Sequence, residues 1–140
     1  VAEFAAARRL GSEGDFIQPA IVVDGEVVGA LYLVIRSATD RTVELGWSLR
    51  ADRQRRGYAT EAVRAILDLA FGALGAHRAV AELDPRNDAS VALCERVGMR
   101  REAHLVENYW FKGTWADTLV YAILDREWRA NGVRDAGPAA

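Results

Sequence analysis

The hydrophobic period of this chain changes from two to 3.6 residues across one short loop, and that change limits the folds open to it. Thr42–Leu49 alternates, with Val43, Leu45, Trp47 and Leu49 on one face and Thr42, Glu44, Gly46 and Ser48 on the other, as a half-buried strand does. Residues 57–74 then place Ala59, Ala62, Val63, Ile66, Leu67, Ala70 and Leu74 at helical spacing, with Arg64 and Asp68 on the outer face. A strand that feeds an amphipathic helix through one loop requires a sheet on which the helix can pack. The remaining segments supply it. Residues 18–23 and 26–35 are rich in Val and Ile and flank Asp24-Gly25, a two-residue hairpin signal. Residues 79–83 read as a short strand, residues 87–97 as a helix stopped by Gly98, and residues 99–106 and 115–124 as the last strands, joined through Lys112-Gly113. The expectation is a mixed, mostly antiparallel sheet with helix 57–74 on one face and helix 87–97 beside it. A short helical piece over 2–10, a loop over 11–15 and a frayed tail over 129–140 complete the reading, with one domain over 1–130 and a tail over 131–140.

Composition narrows the setting. A chain of 140 residues that is 51% hydrophobic can bury one core. Cys94 is the single cysteine, so no disulfide framework is indicated, and no apolar run is long enough to span a bilayer. No signal-peptide pattern is present, and a reducing cytoplasm is the expected location. A net charge of -2 argues against a nucleic-acid binder held by bulk charge.

Positive charge is nevertheless concentrated in the loop that feeds the helix. Arg50, Arg53, Arg55, Arg56 and Arg64 stand there against Asp52 and Glu61. Two readings are open: a solvated helix start, or an anion site built on the unpaired N–H groups and positive dipole end of the first turn. Gly57 allows a ligand to approach the backbone and Ala59 nearly so, which would let the N–H groups of Arg55 through Thr60 cradle a pyrophosphate. Neither G-x-x-x-x-G-K-[ST] nor G-x-G-x-x-G is present, so a nucleotide of the usual kinds is not the ligand.

Gln54-Arg55-Arg56-Gly57-Tyr58-Ala59 resembles the [Q/R]-x-x-G-x-[G/A] motif of the GCN5-related N-acetyltransferase (GNAT) superfamily. Asn87-Asp88-Ala89-Ser90 followed by Glu95-Arg96-Val97-Gly98-Met99 is similar to its N-x-x-S and E-[K/R]-x-G-F signature, and residues 112–128 resemble the ending of the ribosomal-protein N-terminal acetyltransferase branch. The resemblance implies a GNAT fold that binds acetyl-CoA, the pantetheine arm lying between the splayed strands 42–49 and 79–83. Trp47, Ser48 and Leu49 would bond the arm, Gln54, Arg55, Arg56, Gly57, Tyr58, Ala59 and Thr60 would hold the pyrophosphate, and Asn87 and Ser90 would contact the cofactor from the next helix. The implied activity is transfer of acetyl to a primary amine, either a protein N-terminus or a small molecule, by direct attack in a ternary complex.

On that frame the Leu49 N–H faces the developing oxyanion and no metal is required. The amine must be neutral: at pH 7 a lysine of pKa about 10.4 is unprotonated roughly once in 2,500 molecules, an α-amine of pKa about 8 roughly once in ten. Glu44 and Glu82, on the strands bordering the slot, are the candidate bases, each otherwise an ordinary outer-face strand carboxylate. The leaving thiolate takes its proton from Ser90 or from water. Many members carry a tyrosine acid where this chain has Cys94, which reads instead as a small buried hydrophobe. His77 and His104 read as surface or capping residues, Asp84 as a turn residue before Pro85, and Trp47, Tyr109, Trp110 and Trp115 as core aromatics or an acceptor pocket rimmed by Glu107, Asn108 and Tyr109. The sequence opens inside the family's second helical region, without the usual first strand and helix. Two function classes follow: an N-acetyltransferase, or a non-catalytic acyl-CoA-binding sensor or partner module. A homodimer is compatible with either, and neither involves nucleic acid or membrane.

Overall fold

A computed structural model describes residues 11–135, with side chains through 132, so the helical piece expected over 2–10 lies outside the described residues. Seven strands and three helices follow in the order β1 (Phe16–Ile17), β2 (Ala20–Val23), β3 (Glu26–Ser37), β4 (Thr42–Leu49), α1 (Tyr58–Phe71), β5 (Arg78–Leu83), α2 (Asp88–Arg96), β6 (Arg100–Phe111), β7 (Thr114–Leu124) and α3 (Asp125–Asp135), with one 3-10 turn at Ala51–Arg53. The sheet order is β1-β3-β4-β5-β7-β6, with β2 also on β3. Every pair is antiparallel except β4 with β5, the two strands joined through α1, as a parallel pair requires a long crossover.

Alternation decides which face is buried. Leu31, Leu33, Val43, Leu45, Ala79, Ala81, Leu119, Tyr121 and Ile123 meet Ala62, Val63, Ile66, Leu67, Ala70 and Phe71 of α1 in one core, to which α2 adds Leu93 and Cys94. Each of these residues is removed from water almost completely, so the core is the main stabilising term at roughly 25 cal/mol per Å² of apolar surface buried.

Three expectations are corrected. The strand expected over 18–23 begins only at Ala20, as β2, after Pro19, which has no N–H for a ladder, and an unexpected two-residue strand, β1 (Phe16–Ile17), precedes it; both lie along β3. The strand expected to end at residue 106 runs to Phe111, because a register shift between Leu105 and Tyr109, with Glu107 at φ 49°, absorbs the irregular residues. The expected tail from residue 129 is helical to Asp135. Tertiary contacts hold α3: Glu127 accepts the Leu124 N–H at 3.0 Å and two bonds from Arg100 at 2.7 and 2.6 Å, and the Trp128 indole donates to Asp68 at 2.8 Å while its ring packs on the core.

Candidate active site

The sheet forks at its one parallel pair. Pairing of β4 with β5 ends at Leu45 with Ala81, yet β4 continues along β3 to Leu49 and β5 continues along β7 to Leu83. Backbone direction in the free part of β4 follows from one bond. The Arg50 N–H donates to Val28 O at 2.7 Å, so by alternation Ser48 and Gly46 spend their backbone groups on β3, while Trp47 and Leu49 point theirs into the fork. The Leu49 carbonyl is taken by the Gln54 side chain at 3.1 Å, which leaves the Leu49 N–H as the inward donor. Ser48 can therefore offer a ligand its exposed side chain but not its backbone.

Gly29 sets this end of β4. It pairs with Leu49, and a Cβ on Gly29 would overlap the Ser48 carbonyl oxygen, so only glycine allows the close approach. The sequence carried a signal for it, an isolated glycine inside a strand, which marks bulges and close backbone contacts.

Beyond the 3-10 turn the chain enters α1 with Arg55 at φ 65° and Gly57, the N-cap, at φ 82°. Among the described residues, the N–H groups from Arg55 through Thr60 meet no acceptor, and the first N–H bonded back is that of Glu61, to Gly57 O at 3.0 Å. A Cβ at Gly57 would meet nothing within 4 Å, so the protein itself leaves room above these N–H groups. The surrounding charge is smaller than the arginine count suggests. Glu26 binds both Arg50 and Arg53, and Asp52 binds Arg50 at 2.7 Å, with both carboxyls lowered chiefly by the Arg50 hydrogen bond. Arg55 and Arg56 remain exposed without an ion-pair partner among the described residues. The Thr60 hydroxyl is turned inward, accepting from Arg96 of α2 at 2.8 Å, so Thr60 contributes its N–H alone.

On the far side of the fork, Asp84 shapes the β5–α2 turn by accepting from the Arg86 N–H at 2.8 Å, and the Arg86 guanidinium holds its carboxyl down at about 2. Asn87 caps α2, its Oδ1 accepting from the Ser90 N–H at 3.1 Å, which leaves its amide N–H₂ for other partners. Ser90 lies in the first turn, where its Oγ receives the Trp47 indole N–H at 3.2 Å. Glu44 and Glu82 share the face opposite the three helices. Glu44 pairs in register with Val80 and is ion-paired to Arg36; Glu82 stands at the fork itself, exposed, with no ion-pair partner among the described residues. Burial pushes the Cys94 thiol up to about 12, which fits a core hydrophobe.

The remaining aromatics divide. Trp47 packs on the core, but Trp110 and Trp115 are 60% and 56% exposed, forming an edge-to-face pair at 5.1 Å near the tip of the β6–β7 hairpin, so they are neither core nor part of the fork. His104, at the surface as expected, bonds Asp117 Oδ2 at 2.8 Å, and Asp117 also accepts the Glu107 N–H at 2.7 Å, fixing the bulge; the Asp117 carboxyl is lowered by that backbone bond first and by His104 second. Among the described residues no group of His, Cys, Asp and Glu is arranged to hold a metal ion, and no helix is long and apolar enough to cross a membrane.

Among the described residues, a mostly antiparallel sheet forked at its one parallel pair, with a run of unbonded N–H groups where the crossover helix begins, has the architecture of an acetyltransferase-type α+β domain. The sequence matches the acetyltransferase (GNAT) domain family over residues 2–100, and the chain belongs to that family. It is 33% identical over 110 residues to an uncharacterized N-acetyltransferase of Bacillus subtilis, YnaD, covering 79% of this chain and 65% of the relative. It is 26% identical over 102 residues to a spermidine N(1)-acetyltransferase of Vibrio cholerae, covering 73% of this chain and 59% of that one. Among solved structures, a GNAT-family acetyltransferase of Bacillus anthracis superposes with a TM-score of 0.72 at 31% identity, over 79% of this chain and 67% of that one. The Vibrio cholerae spermidine/spermine N-acetyltransferase SpeG superposes with a TM-score of 0.75 at 22% identity, over 83% and 69%, a likeness of fold. The chain spans 65% of YnaD and 57% of a second Bacillus subtilis relative, YjcK.

Proposed function

We propose that the protein is an acetyl-CoA-dependent N-acetyltransferase acting on a primary amine, a protein N-terminus or a small molecule. The observation that carries this reading is the fork with the Leu49 N–H directed into it, next to a cradle of unbonded N–H groups from Arg55 to Thr60. Two negative phosphates fit a helix start with a positive dipole end and two arginines, Arg55 and Arg56, that have no ion-pair partner among the described residues. The pantetheine arm fits the fork, where the open backbone edge of Trp47 and Leu49 can pair with its amides. In that pose the Leu49 N–H donates to the carbonyl oxygen as negative charge develops there, an interaction worth more in the transition state than in the ground state.

The amine approaches from the face that carries Glu82. Glu82, a carboxylate at the fork with no ion-pair partner among the described residues, can accept the amine's proton directly or through one water, whereas Glu44 is committed to Arg36 and shapes the face. Residues 1–130 are read as one catalytic domain, to which α3 belongs through Asp135, in a cytoplasmic protein that works alone or as a homodimer.

The test is calorimetric titration with acetyl-CoA, followed by free-thiol release with a panel of amines that includes spermidine, because one relative is a spermidine N(1)-acetyltransferase, and an N-terminal peptide. Saturable binding with thiol release by at least one amine is the expected result. Binding without release from any amine would assign the chain to the acyl-CoA-binding class; no binding would remove the cofactor reading.

A further inference from the structure

The hydrogen bond that crosses the fork has a fixed direction. The Trp47 indole N–H is a donor only, so at 3.2 Å the Ser90 Oγ must be the acceptor. A serine hydroxyl in a helix can turn its own O–H back onto a carbonyl three or four residues earlier. Here the Ser90 hydroxyl makes no such bond among the described residues, and the backbone N–H of Ser90 is already held by Asn87 at 3.1 Å, which fixes the first turn of α2 beneath it. With one lone pair occupied by the indole, the proton of Ser90 is left for an acceptor in the fork. Trp47 lies on β4 beyond the last β4–β5 pair and Ser90 lies on the helix after β5, so the bridge spans the two sides of the opening.

We infer that Trp47 is a positioning residue that orients the Ser90 hydroxyl as a hydrogen-bond donor to the sulfur of coenzyme A. This rests on the acetyl-CoA reading given above. A hydroxyl is a far weaker acid than a thiol, so Ser90 does not surrender its proton. As the C–S bond breaks and its electron pair moves to sulfur, the O–H bond stays intact and donates to the thiolate; the proton that makes the free thiol is the one the amine loses, delivered through solvent. An uncharged acceptor gains little from such a bond, and an anionic one gains more, so the interaction favours the thiolate.

The bound thiol therefore titrates lower than it would without the donor, and this can be measured without turnover. Coenzyme A is titrated from pH 6 to 10 with the intact chain, with Ser90→Ala, with Trp47→Phe and with the double variant, following thiolate absorbance. Phenylalanine keeps most of the ring packing of Trp47 and removes only the donor. The charged groups around the fork, Glu82, the Asp84–Arg86 pair and the Glu44–Arg36 pair, are the same in every variant, so differences report the hydroxyl. The expected result is a bound thiol pKa about one unit higher in Ser90→Ala than in the parent, a smaller rise in Trp47→Phe, and no further rise in the double variant. Equal thiol pKa values in parent and Trp47→Phe, with coenzyme A bound by both, would overturn the role of Trp47 and leave the cofactor site standing. A full additional rise in the double variant over Ser90→Ala would do the same, because Trp47 would then act by another route. Absence of saturable binding to the parent would overturn the cofactor reading and this inference with it.

Discussion

Gly57 carries two requirements that can be separated by substitution. Its φ of 82° disfavours any side chain, and the space a Cβ would enter is open. Gly57→Ala adds backbone strain of about 1 kcal/mol and little else, so it should fold and bind coenzyme A with a modest loss. Gly57→Glu adds the same strain plus a negative group over the cradle, and should abolish binding in a calorimetric titration while keeping a cooperative unfolding transition. Binding by Gly57→Glu as tight as the parent's would remove the pyrophosphate from this helix start. Glu82 at the fork and Glu44 on the same face are separable by pH. Glu82→Gln should lower thiol release at pH 7 by about 10²-fold, with the deficit shrinking toward pH 9.5 as the amine deprotonates unaided. Glu44→Gln, which breaks the ion pair with Arg36, should give a smaller loss of about the same size at every pH. Rate ratios to the parent between pH 6.5 and 9.5 decide the assignment, and a flat ratio for Glu82→Gln would leave it without the role.

At the scale of elements, α3 is the test of how tertiary contacts make a helix that the sequence does not announce. Trp128 is its anchor, by ring packing on the core and by the indole bond to Asp68. Trp128→Phe keeps much of the packing and should lose about 1 kcal/mol, whereas Trp128→Ala should lose about 3 kcal/mol, read as lowered urea midpoints at unchanged slope. A Trp128→Ala midpoint equal to the parent's would detach α3 from the folded unit. What was legible in the sequence follows the same division. α1 and β4 declare themselves because their buried faces are dense enough to show a period, and Asp24-Gly25 and Lys112-Gly113 declare the hairpins. The segment Asp125–Asp135 has asparagine and glycine in its interior and a single tryptophan facing the core, so nothing local favours a helix over a tail. The outer half of β6 is hidden from the sequence for the opposite reason, since it exposes apolar side chains and bends at Glu107. The glycine-bearing loop that opens α1 was legible as a motif, but not the neutralisation of Arg50 and Arg53 by Glu26, which comes from the β2–β3 hairpin and is brought there only by the fold.

For the whole molecule, the carboxylates that pair with arginine tie distant elements together. Glu26 at the start of β3 holds Arg53 of the cradle turn, Glu102 of β6 holds Arg78 of β5, and Glu127 of α3 holds Arg100 of β6. Each of these carboxyls is lowered, Glu26 first by Arg50, Glu102 first by Arg78 and Glu127 first by Arg100, and Asp84 is brought down to about 2 by Arg86. A group whose folded pKa lies below its unfolded value contributes stability that is complete above the unfolded value and is lost as pH falls through the folded one. The reference values here are 4.5 for Glu and 3.8 for Asp, so stability should be level above about pH 5, begin to fall near 4.5 and continue falling to about 2. Because these pairs are largely solvent-accessible, each contributes little and salt weakens it, so the fall should be shallower in 1 M sodium chloride than in 20 mM buffer. Urea midpoints measured at pH 7, 5, 4 and 3 in both salts test this. Equal midpoints at pH 5 and pH 3 at low salt would mean that the pairs seen across the sheet hold no net stability, and that the edge strands and α3 are retained by apolar packing alone.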